Sequence, residues 1–221
     1  MRFVDALADL FLGAECTGCG EPVLGLCPAC RASLGLGPLE RDLSGLRVVS
    51  ATSYQPPVTA IVKGFKDAQA WGLAAPLAEA MSHVLPAVAD AVLVAVPSPG
   101  ASVRSRGFDH TRALALHLGR LSSMPVRRLL RRPGVRVDQT ELHRADRWAN
   151  QLGRFSARGS GQQVVLVDDV VTTGATLVAA AGALEAVGHR VALAVTVASS
   201  QLWTTTPDMP DRKADRVADG G

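Results

Sequence analysis

The chain has 221 residues, 48% of them apolar, which is enough for one substantial domain and a small appendage. A net charge of +3 excludes a uniformly basic protein, and no apolar run approaches the roughly 20 residues that a membrane-spanning helix needs. The charge is uneven, however. Between Val103 and Arg158 thirteen arginines face four acids, and a basic segment in a nearly neutral chain points to an anionic ligand.

At the amino terminus, Phe3, Val4, Leu7, Leu10 and Phe11 fit one face of a short amphipathic helix. Asp5 and Asp9 interrupt that apolar run, unlike the uncharged core of a secretory signal. The protein is therefore expected to be cytoplasmic, where disulfides do not persist. All four cysteines follow in "CTGCGEPVLGLCPAC", as Cys16-x2-Cys19 and Cys27-x2-Cys30. Two such pairs joined by a short loop can set four thiolates tetrahedrally around structural zinc. With four cysteines bound, no open coordination position remains for catalysis. Two disulfides are the alternative, which the cytoplasmic reading disfavours. The glycine-rich "RASLGLGPLERDLSGL" then leads out of this knuckle, and the domain boundary is expected near residue 46.

Beyond it, "VVSATSY" reads as a strand and "PVTAIVKGFK" as a short helix ending near Lys63 and Lys66. "WGLAAPLAEAMSHVLPAV" reads as a second helix and "AVLVAVP" as a buried strand. Leu114, Leu118 and Leu121 mark a helix within residues 107–121, and "VRRLLRR" fits another strand. The stretch 132–155 has little periodicity and reads as a long mobile arm. A strand over 163–168, a helix over about 174–187 and the strand "RVALAVTVASS" follow. Residues 201–221, with prolines and mixed charge, are expected to be a disordered tail. Strands alternating with helices predict an α/β fold with a parallel sheet, whose ligands bind beyond the carboxyl ends of strands. The domains are thus 1–46 for the helix and knuckle, 47–200 for the α/β unit, and 201–221 for the tail.

The stretch "VVLVDDVVTTGATL", residues 164–177, carries the chemistry. An apolar strand leads to Asp168 and Asp169, then to a turn of Thr172, Thr173, Gly174, Ala175 and Thr176. Free N–H groups at a helix start, with threonine hydroxyls, make a phosphate cradle. Adjacent carboxylates can accept hydrogen bonds from vicinal sugar hydroxyls, and magnesium would offset the negative charge. The pattern therefore suits a phosphorylated sugar. No lysine follows the glycine as in a P-loop.

The stretch resembles the 5-phosphoribosyl 1-pyrophosphate (PRPP) motif of type I phosphoribosyltransferases. By that resemblance, Asp168 and Asp169 hold the ribose hydroxyls and residues Thr172 to Thr176 hold the 5-phosphate. The earlier loop "VPSPGASVRSRGF" stands where such enzymes bind pyrophosphate, which implies roles for Ser98, Arg104, Arg106 and Gly107. Arg144 and Arg147 in the arm are candidates for closing over it as a lid. Together with the knuckle, "KGFK", Gln139, Leu142, Asn150 and Phe155, these motifs are similar to the competence protein F (ComF) family across residues 3–199. That similarity implies a zinc knuckle joined to a phosphoribosyltransferase-like domain that binds PRPP with magnesium. It also implies, as an alternative to catalysis, a module that binds single-stranded DNA beside a DNA-uptake helicase. Asp109 and His110 stand where the family usually has Asn-Gln, so no role carries over to them.

Overall fold

The computed structural model of the chain describes residues 15–67, 71–98, 109–132 and 155–200. A short helix α1 (Pro28–Ala32) closes the cysteine loop, with the side chain of Cys27 as its N-cap. Strands β1 (Leu39–Leu43) and β2 (Leu46–Ser53) form an antiparallel hairpin. Helices α2 (Val58–Asp67) and α3 (Ala74–Val84) lead to β3 (Ala91–Ala95), and α4 (His110–Ser122) follows. The pair β4 (Leu130–Arg131) and β5 (Ser156–Ala157) precedes β6 (Gln163–Val171), α5 (Ala175–Glu185) and β7 (Arg190–Ser199).

The main sheet has the order β1-β2-β7-β6-β3, with β1 antiparallel and the other four strands mutually parallel. The expected α/β class with a parallel sheet is therefore present. Its inner strands read as continuous apolar runs because both faces are covered. On one face α2, α3 and α4 pack over Val165, Val167, Val195 and Val197. On the other, α5 and Leu130 pack over Val164, Leu166 and Ala194.

Two connections fix where a ligand can sit. From β3 the chain crosses one face through α4 and returns beside β3 as a single parallel bridge, Leu93 with Val126. From β6 it crosses the opposite face through α5 and moves the other way, to β7. The reversal leaves a crevice between the carboxyl ends of β3 and β6, the usual binding place in such sheets. Both motif-bearing loops leave the sheet there.

Two elements differ from the sequence reading. Residues 39–43 lie before the boundary expected near 46, yet they pair with β2 in the main sheet. Their signal was the two-residue turn Ser44-Gly45, both with positive φ (55° and 90°), which suits a tight hairpin. The run "VRRLLRR" yields a strand of only two residues, because its other residues hydrogen-bond sparsely along the edge of β3. The expected amino-terminal helix, arm and tail lie outside the described residues.

The cysteine loop docks on the sheet's helical face. Cys16, Cys27, Cys30 and Leu34 share one buried cluster with Ile61, Val62 and Phe65 of α2. A Cβ at Gly64 would collide with Thr17, and one at Gly18 would lie 2.6 Å from Cys30 Sγ. Glycine at both places permits this close approach of loop and helix.

Candidate functional site

Strand β6 runs to Val171, three residues past the end expected from the apolar run. Asp168 and Asp169 therefore lie within the strand, where successive side chains leave on opposite faces. Val165 and Val167 face α2–α4, and Asp169 continues that side. Val164 and Leu166 face α5, and Asp168 continues theirs, bordering the turn that follows.

Asp169 is closed in. Its side chain is 7% exposed, and each carboxylate oxygen has a cationic or imidazole partner. Lys66 Nζ, in the last turn of α2, is 2.9 Å from Oδ1. His110 Nε2, at the start of α4, is 2.7 Å from Oδ2. Burial alone would favour the neutral acid. The His110 hydrogen bond and the Lys66 charge outweigh it and hold Asp169 below the usual carboxylate range. Phe65 stands edge-on to the imidazole, with ring centroids 6.1 Å apart. His110 Nδ1 is buried with no hydrogen-bond partner among the described residues.

The Asp-His pair that departs from the ComF pattern thus has two local tasks. Asp109 caps α4, its carboxylate accepting the N–H of Arg112 at 3.2 Å. His110 braces Asp169. Lys66 also came from a quoted motif, but nothing in the sequence linked it to Asp169.

Asp168 is open by comparison. It is half-buried and accepts the backbone N–H of Asp169 at 2.9 Å. Burial, and then the charge of Asp169, push its carboxyl up to about 8. Asp168, Thr172, Thr173, Gly174, Ala175 and Thr176 together line a small pocket of about 50 Å³. Helix α5 has no side-chain cap, and Ala175 N–H makes only a long 3.4 Å contact with Thr173 Oγ1. Its first-turn amides are thus available to an anion.

The hairpin supports this turn from outside. Arg41 of β1 donates to the carbonyl of Thr172 at 2.8 Å. Leu43 fills the space where a Cβ on Gly174 would stand, and Gly174 has φ +82°. Glycine is required there twice over, by backbone conformation and by contact. Neither Arg41 nor Leu43 was singled out from the sequence. Ser98 lies just past the end of β3, while Arg104, Arg106, Gly107, Arg144 and Arg147 lie outside the described residues.

The second group is the cysteine cluster. Cys16, Cys19, Cys27 and Cys30 are all free thiols, and their four sulfurs lie within 4.8 Å of one another. Cys19 Sγ and Cys27 Sγ are 3.7 Å apart. A tetrahedron with metal–sulfur distances of about 2.3 Å has edges of about 3.8 Å, so the donor set fits zinc. Burial resists ionisation of Cys16, but N–H donors from Cys27, Gly18 and Cys19 prevail and lower its pKa to about 6. Burial and the three neighbouring thiols raise that of Cys30. A divalent cation would relieve that crowding of sulfurs.

Comparison with known proteins agrees with this geometry. The model of the phosphoribosyl transferase domain family matches residues 103–216. An adenine phosphoribosyltransferase of Sphingopyxis alaskensis (strain DSM 13593 / LMG 18877 / RB2256) is 39% identical over 98 residues, 43% of this chain and 51% of that protein. An adenine phosphoribosyltransferase of Erythrobacter litoralis (strain HTCC2594) is 33% identical over 123 residues, 55% of this chain and 65% of that protein. The chain thus spans between half and two thirds of these relatives.

Proposed function

Since the chain belongs to the phosphoribosyl transferase domain family, we propose that it binds PRPP with magnesium at the turn after β6 and transfers ribosyl phosphate to an acceptor. The observation that carries this reading is the meeting of Asp168 with the uncapped start of α5 in one small pocket. A phosphate there would accept hydrogen bonds from the first-turn amides and from the hydroxyls of Thr172, Thr173 and Thr176. The ribose hydroxyls would donate to Asp168. Asp169, held by Lys66 and His110, would fix the strand end from which Asp168 projects.

In the proposed transfer the C1–oxygen bond to pyrophosphate breaks and its electron pair leaves with pyrophosphate. A bond from the acceptor to C1 forms through an oxocarbenium-like transition state. Magnesium, bound with PRPP, would offset charge on the leaving group. Ser98 and the loop arginines Arg104 and Arg106 would meet pyrophosphate oxygens, with Gly107 allowing the turn. Arg144 and Arg147 would close over them. The test is calorimetric titration of PRPP with magnesium, followed by a screen for pyrophosphate release. No heat of binding at millimolar PRPP would end this reading.

The knuckle is proposed to hold one structural zinc through Cys16, Cys19, Cys27 and Cys30, and metal analysis of protein purified under reducing conditions checks it. Knuckle and α/β domain in one chain are the arrangement of the ComF family, and a cytoplasmic role in competence is proposed on that ground. No helix among the described residues is long and apolar enough to cross a membrane.

A second reading has the pocket serving single-stranded DNA without catalysis, beside a DNA-uptake helicase. The exposed Arg127, Arg128, Arg131 and Arg158 favour it. Anisotropy of labelled DNA at fixed salt, with and without PRPP, tests it, because phosphate contacts weaken steeply with salt.

A further inference from the structure

Helix α2 stands between the cysteine cluster and the aspartate pair. Its residues Ile61, Gly64 and Phe65 lie at i, i+3 and i+4 and so share one side. The cysteine loop presses on that side. The methyl group of Thr17 fills the space of a Cβ on Gly64, and a Cβ on Gly18 would lie 3.2 Å from Ile61 Cγ1. Cys16, Cys27 and Cys30 are buried with Ile61, Val62 and Phe65 in one cluster. The end of the same helix serves the candidate site. Phe65 meets the His110 ring, and Lys66 Nζ is 2.9 Å from Asp169 Oδ1.

The loop can act as a clamp because it is anchored away from α2. Thr52 of β2, itself buried, donates its hydroxyl to the carbonyl of Ser33 at 3.0 Å, just past α1. Leu34 follows in the same buried cluster as the cysteines. Arg31 pairs with Glu79 of α3 at 3.0 Å, but both are exposed, so this pair contributes little. Helix α2 has ten residues, too few to hold its shape without packing. Where its last turn lies therefore depends on what covers Ile61, Gly64 and Phe65.

We propose that the cysteine knuckle is a positioning unit for the candidate site. Thr17 and Gly18 seat α2, and α2 carries Phe65 and Lys66 to the His110–Asp169 pair. The proposed zinc would keep the loop in the shape that meets α2. Losing the metal, or the fit between Thr17 and Gly64, lets the last turn of α2 shift. Asp169 is then loosened at the strand end that also carries Asp168. Such linkage is reciprocal, so a ligand that requires the fixed strand end also slows the loss of zinc. The consequence for PRPP rests on the proposed PRPP site, whereas the geometry stands without it.

The experiment reads the His110 ring by NMR in the full chain, through its Cε1 carbon–proton signal, assigned by its absence in His110→Gln. The first variant is Gly64→Ala. Alanine favours a helix over glycine, so α2 itself is strengthened and only the contact with Thr17 is disturbed. The His110 signal should shift in Gly64→Ala and return when Thr17→Ser is added, because serine lacks the methyl group that the new Cβ would strike. Removing zinc from the parent with a zinc-selective chelator, under reducing conditions, should shift the same signal. His189, bonded to Gln162 and Arg158 at the opposite end of the sheet, should keep its signal throughout. With magnesium in excess, the dissociation constant for PRPP should rise about fivefold or more in Gly64→Ala, the low end of coupling between sites, and recover in the double variant. The inference is overturned if Gly64→Ala or zinc removal leaves the His110 signal in place, or if Thr17→Ser fails to restore it. A shift of His189 equal to that of His110 would mean general unfolding and would also overturn it. PRPP bound equally by parent and Gly64→Ala would overturn the link to the site. PRPP that fails to bind the parent ends the PRPP reading instead, and the His110 signal still decides the positioning role.

Discussion

The two faces of β6 treat the same residue type in opposite ways. Toward α2 and α4, Asp169 is buried, ionised and bonded through both carboxylate oxygens. Toward α5, Asp168 is half-buried, bonded to one backbone amide and pushed toward the protonated form. A carboxylate with a full set of partners is structural in effect, because a ligand must break contacts to reach it. A carboxylate left short of partners beside an open helix end is poised to take one. The pair therefore divides into a brace and a binding group.

Breaking the brace should have the largest effect. Asp169→Asn leaves Lys66 facing an amide at a nearly closed position. Removing one partner of a buried pair costs about 3–5 kcal/mol. Because Lys66 is 28% exposed and can move toward water, the lower end is expected. Denaturant unfolding measures it. Asp168→Asn should not show this loss, and if the two variants are equally destabilised the division fails.

The binding group is tested next. Above about pH 8, where Asp168 is ionised, Asp168→Asn removes a charge-assisted acceptor worth about 1.5–3 kcal/mol, so PRPP affinity there should fall at least tenfold. Titration calorimetry with magnesium present reads this out. Equal affinity in parent and variant would place the ribose elsewhere.

A smaller effect tests the outer support of the turn. Gly174→Ala forces a side chain into the left-handed region and against Leu43, and the backbone strain alone costs about 1–2 kcal/mol. Adding Leu43→Ala should recover the part due to the contact but not the part due to φ. A thermal-melt comparison of the two single variants and the double variant separates these parts.

The pH dependence comes last because partial exposure of Asp168 discounts it, and there the two acids have opposite signs. The folded pKa of Asp168 lies above its unfolded value. The folded state therefore holds an extra proton between about pH 4 and about pH 8, and stability from this group falls as pH rises through that window. Asp169 lies below its unfolded value, so its contribution is present above the ordinary carboxylate range and is lost as pH falls through the lowered folded value. Relative to the parent, Asp168→Asn should gain stability steadily from pH 4 to pH 8. Partial exposure of Asp168 weakens the effect. A stability difference that stays flat over that range would remove the burial argument for Asp168.

Several of these features were already legible as local pattern. Val164 to Val167 form a strand because they are a short β-branched and aliphatic run, and residues 172–174 form a turn because threonines and a glycine end it. The cysteine spacing likewise brings four sulfurs together over one short loop. In each case the interacting residues are neighbours in the chain, so local propensity and spacing carry the information. The hairpin signal, Ser44-Gly45, was equally local but was masked by the glycine-rich stretch before it and by the charged run Glu40-Arg41-Asp42 in β1.

What the sequence by itself determined, then, was the class of fold, the strand–turn–helix motif and the thiol cluster. Only the tertiary structure decided which aspartate is free. Three residues of extra strand sent Asp168 and Asp169 to opposite faces, and packing brought Lys66 and His110 from separate helices onto one of them. It also placed Arg41 against a carbonyl 131 residues later. Such partners meet only when the sheet brings distant segments together. No periodicity records that meeting, because each local pattern is compatible with many arrangements of the others.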